Sequence, residues 1–148
     1  MSGTRSTVSL LALAVGVTFI LVGILGFVPG ITTNYGDLSF ADHHSESKLL
    51  GLFQVSVLHN IVHILFGVAG LALWRTVSGA QTYLVGGGIV YVLLGVYGAS
   101  IERHSDANFV PVNGADDILH LGLGVAMVVL GLVGAKVIDS VTRRQATA

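Results

Sequence analysis

Cysteine is absent from the chain, which excludes disulfides, thiolate metal sites and cysteine nucleophiles. Charge is scarce: Asp, Glu, Lys and Arg make up 10% of the residues, against about a quarter in an ordinary soluble domain. The formal net charge is −1, so there is no basic surface of the kind that holds nucleic acid. Catalytic signatures are missing too. No nucleophile stands with a base and an orienting group, and no phosphate-binding glycine loop follows a strand; "GGG" at 86–88 sits in an apolar helical stretch and reads as packing. HxxxH at His59 and His63 occurs without HExxH, and no ExxH is available for a di-iron carboxylate centre. No catalytic activity is therefore assigned.

What the chain has is apolar length. Of its 148 residues 53% are hydrophobic, 20 are glycine and only two are proline, a composition that suits closely packed membrane helices. Four apolar stretches, near Val8–Val28, Leu49–Trp74, Gln81–Ser100 and Ala115–Val137, are each long enough to cross a hydrocarbon core of ~30 Å. The first follows Arg5 as a signal peptide would. However, "GFVPGITTN" after it offers no small-x-small cleavage site, so it reads as a retained helix. The expected fold is all-α, a single membrane domain over residues 1–148 built as a four-transmembrane-helix bundle.

Loop charges orient the bundle. Arg5, Arg75, Lys136, Arg143 and Arg144 fall on the side of the termini and the 75–80 loop, with Asp139 the one acid there. Lys48 and Arg103 fall on the other side, among Asp37, Asp42, Glu46, Glu102, Asp106, Asp116 and Asp117. The positive-inside rule then puts both termini in the cytoplasm, in the inner cell membrane, with Trp74 at the cytoplasmic interface. The bilayer is the expected partner, with further copies of the chain or other membrane proteins as candidates.

"HNIVHILFGVA" at 59–69 aligns without gaps on "DDILHLGLGVA" at 116–126, and "TFILVGILG" at 18–26 echoes "VYVLLGVYG" at 90–98. The expectation is two hairpins of one topology related by a pseudo-twofold axis along the membrane normal. The first carries the longer external loop. Glycines seven apart, at 16, 23 and 30, at 88 and 95, and at 124 and 131, suggest close-packed helix seams.

Polar groups inside such helices are expensive and need partners. His59, His63 and Gly67 share one helix face, as do Asp116, His120 and Gly124 on the last helix. Asn60 and Asp117, with Ser56 and Asn113 one turn earlier, flank them. The leading reading is structural: a His/Asp/Asn network pins helix two to helix four. The alternative is a metal site of His59, His63, Asp116 and His120 for a divalent ion. A haem b held by His63 and His120, with Gly67 and Gly124 leaving room for the ring, is its variant. A proton or ion path is the third reading. Asn113 is also a candidate N-cap with Asp116 and Asp117 in the first turn of its helix.

In the external loop "ADHHSESKLL", Asp42, His43, His44 and Glu46 read as a solvated acidic segment, with metal at the paired histidines only adventitious; Ser45 or Ser47 is expected to cap helix two. His104 is expected in water.

"LLGLFQVSVLHNIVHILFGVAGLA" at 49–72 and "VPVNGADDILHLGLGVAM" at 110–127, with "GILGFVPGIT" after helix one, resemble the bacterial four-helix membrane family termed domain of unknown function 4383. Its LFQVxxLHNxVH and VNxxDxxLH blocks are matched by Leu52 to Val55, Leu58 to Asn60, Val62, His63, Val112, Asn113, Asp116, Leu119 and His120. The resemblance implies four membrane helices and no particular reaction. A distant similarity to DoxX-like four-helix membrane proteins, some linked to quinone redox, is analogy only.

Overall fold

The computed structural model describes residues 6–146, with side chains through residue 134. Arg5 and the side chains of Lys136, Asp139, Arg143 and Arg144, which carry part of the charge argument, lie outside the described residues. The chain folds as a four-helix bundle: α1 (Thr7–Leu25), α2 (Val57–Leu73), α3 (Val77–Ser100) and α4 (Gly114–Ala146). Among the described residues, α1, α3 and α4 up to Gly134 are long and apolar enough to cross a membrane, and α2 is a shorter apolar helix of 17 residues.

Each helix begins on a polar cap, which satisfies amide groups that have no partner in the first turn. Ser6 accepts from Ser9 N, Ser56 from His59 N and Thr76 from Gly79 N. Asn113 Oδ1 accepts from the amides of Ala115 and Asp116, while Asp116 Oδ2 accepts the Asn113 amide in return. This reciprocal arrangement is a capping box, and it agrees with the cap expected at Asn113.

The apolar run expected to open helix two at Leu49 is two elements instead. Three short strands, β1 (Thr32–Thr33), β2 (Lys48–Leu49) and β3 (Phe53–Gln54), form an antiparallel sheet in the order β1-β2-β3 over the loop end of the bundle. The β2–β3 turn needs a left-handed backbone at Leu50 (φ 55°) and Gly51 (φ 71°), which no helix can contain, so α2 starts only at Val57. Ser45 and Ser47 are not its caps. Both are fully buried, donating to the carbonyls of Val55 and Asn34. The α2 amides of Val57 and Leu58 are instead met by the carbonyls of Ser39 and Phe40.

The helices pack in pairs, α1 on α2 and α3 on α4, around a core that includes Phe19, Tyr83, Leu84, Tyr91 and Met127. Small residues set the spacing. A Cβ on Gly16 would lie 3.0 Å from the Gly67 carbonyl oxygen, and one on Gly67 only 2.5 Å from that of Gly16. Gly88 and Gly124 oppose each other likewise, each 2.7 Å from the other's carbonyl oxygen by the same measure. Gly23 meets the Asn60 carbonyl and Ile64, and Gly95 meets the Asp117 carbonyl and Leu121. The second set lies 72 positions later on α3 and 57 later on α4.

Candidate functional site

The first turns of α2 and α4 bring polar groups together just beneath the sheet. His59, His63 and His120 each bring one ring nitrogen into a cluster, and these atoms all lie within 4.8 Å of one another. The His59 and His63 rings stack with centroids 4.6 Å apart, and His59 and His120 are at 6.1 Å. Two further rings frame the centre: Phe19 stacks on His63 at 5.6 Å and Tyr91 meets His120 edge-on at 5.1 Å. His59 and His120 are each 5% exposed. His63 is part-exposed as a residue, but its Nδ1 is enclosed.

The bonding of the three rings is uneven. His59 Nδ1 donates to the Pro111 carbonyl at 3.2 Å, which fixes that ring and leaves its other nitrogen free of the proton. Nδ1 of His63 and Nδ1 of His120 are buried with no hydrogen-bond partner. Such orphans are uncommon in folded proteins and each calls for an explanation.

The acidic and amide groups do not join the histidines. Asp116 lines the same cavity, but it is outside the three-nitrogen set, and its Oδ2 accepts from the amides of Asn113 and Gln54. It thus ties the sheet to α4. Asp117 binds Arg103 at 2.7 Å, and its other oxygen faces Gly98 without a partner. Asn60 is 1% exposed, lies against Gly26 and has neither side-chain polar atom bonded. Asn113 Nδ2 donates to the Leu52 carbonyl. Among the described residues, no side-chain hydrogen bond links a histidine ring of the centre to Asn60, Asn113, Asp116 or Asp117. Gly67 and Gly124, the expected room for a haem, are filled by the backbones of α1 and α3.

Phe19, Tyr91, Arg103 and Pro111 are the participants that the motifs did not single out. Phe19 and Tyr91 occupy the same place in the aligned segments 18–26 and 90–98, which was the available signal. Arg103 carried none, because it reaches Asp117 from a loop.

A cavity of about 380 Å³ runs between α1 and α4 beneath β2 and β3, with the three histidines at its inner wall. A smaller one of about 130 Å³ lies between α2 and α3 against the same three rings.

At the cap, Asp42, His43 and His44 form a second group with ligand atoms within 4.8 Å of one another, largely exposed. The His44 amide first, and its ring second, hold the Asp42 carboxyl below its usual range. His104 is exposed.

Residues 9–133 match the family model described as domain of unknown function 4383. No curated protein and no solved structure matches the chain.

Proposed function

The chain belongs to the family of domain of unknown function 4383, and from that premise we propose that it is a multi-pass membrane protein whose His59, His63 and His120 hold a transition-metal ion between two helix pairs. The observation that carries this reading is the convergence of three ring nitrogens within 4.8 Å, in an interior where Nδ1 of His63 and Nδ1 of His120 have no hydrogen-bond partner. A structural network would be expected to use those atoms on Asn60, Asp116 or Asp117. An ion offers the alternative: metal on one nitrogen of each ring.

The donor set is compatible with such an ion. Zinc and copper both take imidazole nitrogen, and an all-nitrogen set excludes neither. Tetrahedral ligands at ~2.0–2.1 Å from zinc stand about 3.3 Å apart, so the rings must close by about 1.5 Å at most from the observed limit of 4.8 Å. Rotation of the His63 and His120 side chains, whose Nδ1 atoms are unbonded, would supply that. The Pro111 carbonyl on His59 is the outer contact that commonly orients a ligating histidine. Asp116 is not needed as a ligand.

Two further readings accompany the site. The contacts of Gly16, Gly23, Gly67 and Phe19 with their neighbours recur at Gly88, Gly95, Gly124 and Tyr91, which supports an internal repeat of one hairpin. The distribution of Lys and Arg, five on the side of the termini against two on the other, favours cytoplasmic termini in the cell membrane. Reporter fusions at Ser78 and Ala148 should then report cytoplasm and those at Asp42 and Asp106 the outside; the reverse pattern removes the orientation.

Elemental analysis after mild detergent purification tests the metal. About one ion per chain is expected, lost in His59→Ala and in His120→Ala while helical circular dichroism is retained. Less than about one ion per several chains, with no thermal stabilisation on adding zinc or copper, contradicts the proposal.

A further inference from the structure

Three histidines around a tetrahedral ion leave one position open, and the larger cavity adjoins all three rings. At about 380 Å³ it falls in the range of sites for small organic ligands, roughly 300–1,000 Å³. Its walls are almost wholly apolar, with Val15, Phe19 and Val22 from α1, Leu123 from α4 and Phe53 from β3. Polar side chains occur mainly at its inner wall, as the histidines and Asp116. Ala14, Thr18 and Leu119 line it and are exposed on the outer surface of the helices, so its mouth opens sideways, toward lipid in a spanning bundle. A ligand entering there comes from the bilayer.

We infer that this cavity binds a neutral, membrane-soluble amphiphile whose apolar chain lies between α1 and α4 and whose terminal oxygen reaches the three-histidine centre. The inference rests on that centre being a binding site and names the ligand class it takes. Neutrality follows from the surroundings. Val15, Phe19, Val22, Phe53 and Leu123 offer a charged head no hydrogen bond on its way to the centre, so an ion would lose its hydration along the cavity without compensation. An oxygen head suits the wall, since it can coordinate an ion or accept a proton from an imidazole N–H. The smaller cavity on the opposite side has no comparable space: Tyr97 and Phe109 line it, and the Tyr97 hydroxyl is held on the Ala107 carbonyl. The larger cavity is therefore the one with room for an apolar chain.

The test is photolabelling of the full chain in phosphatidylcholine vesicles with dodecanol bearing a chain diazirine, adducts being mapped by mass spectrometry. Adducts should concentrate on Ala14, Thr18 and Leu119, several-fold above the exposed Leu65 and Leu93 of α2 and α3. Thr18→Trp should block the mouth and reduce cavity adducts several-fold, with metal content unchanged, because Thr18 is exposed and bonds only to the Ala14 carbonyl. Ala14→Trp is the second variant, should the first ring turn outward. The matching dodecanoate should label the cavity less than the alcohol. Adducts spread evenly over the exposed apolar faces, or a cavity pattern unchanged in both tryptophan variants, overturn the inference. Metal content of the same samples separates the two claims. Cavity adducts without bound metal keep the ligand site and remove the metal, whereas bound metal with even labelling does the opposite.

Discussion

The helix pair α1–α2 and the helix pair α3–α4 pack through corresponding contacts and bury different chemistry at the same depth. Ser56 and Asn113 are the corresponding caps, and the third helical residue after each is His59 in one pair and Asp116 in the other. The next positions are Asn60 and Asp117, each against a glycine. His63 and His120 follow, each against an aromatic ring from the partner helix. The glycine seams are alike because backbones in van der Waals contact tolerate no extra atom. The polar positions differ because loops can supply different partners. Asp117 has Arg103, Asp116 has the Gln54 amide, and Asn60 has neither. One pair thus contributes two histidines and the other contributes one, which leaves a lopsided centre with Asp116 in the position that corresponds to His59.

The largest expected effect breaks this asymmetry at residue 60. Asn60→Asp copies the second pair's carboxylate without its arginine, and an uncompensated buried charge costs about 3–5 kcal/mol. Thermal unfolding in detergent should show it, whereas Asp117→Asn, which copies the first pair, should be far milder. Next come the seams. Gly67→Val and Gly124→Val each force a side chain onto a neighbouring backbone, at the upper end of the roughly 1–3 kcal/mol for overpacking. If the two pairs pack alike, the two losses should match, and a harmless variant in either would separate them.

Arg103→Leu should cost about 2 kcal/mol, discounted because the arginine is 39% exposed. Adding Asp117→Asn should restore much of that loss, since the amide needs no charge partner. An additive double variant would mean that the ion pair is not what holds Asp117. Smallest is His44→Ala in the exposed cap, expected to leave the unfolding midpoint and the bound metal unchanged; loss of metal there would move the site to Asp42, His43 and His44.

Helix number and the meeting of the three histidines were legible in the sequence, for simple reasons. Apolar runs of membrane length announce α1, α3 and α4. The i, i+4 spacing of His59 and His63, with His120 in the aligned segment, placed the rings on facing stripes. The start of α2 was not legible from hydrophobicity. Leu49–Val55 is as apolar as a helix, and a short apolar run does not distinguish strand from helix. Gly51 inside that run, and Ser56 after it, were the local signs of a turn and a later cap. Partners were harder still. Asp116 and His120 share a helix face, but the carboxylate is taken by its own cap and by β3, a contact 62 residues away in sequence. Nor could spacing foresee that Gly67 and Gly124 would be filled by facing helices.

The central claim is that three imidazoles share one ion, and X-ray absorption at the metal edge of the purified, zinc- or copper-loaded protein tests it most directly. The account predicts light-atom ligands at about 2.0–2.1 Å with the outer-shell scattering of imidazole rings, consistent with three histidines and one further nitrogen or oxygen. That imidazole signal should collapse in His63→Ala. A spectrum of a hydrated ion with oxygen ligands alone, the same in the parent and in His63→Ala, would contradict it.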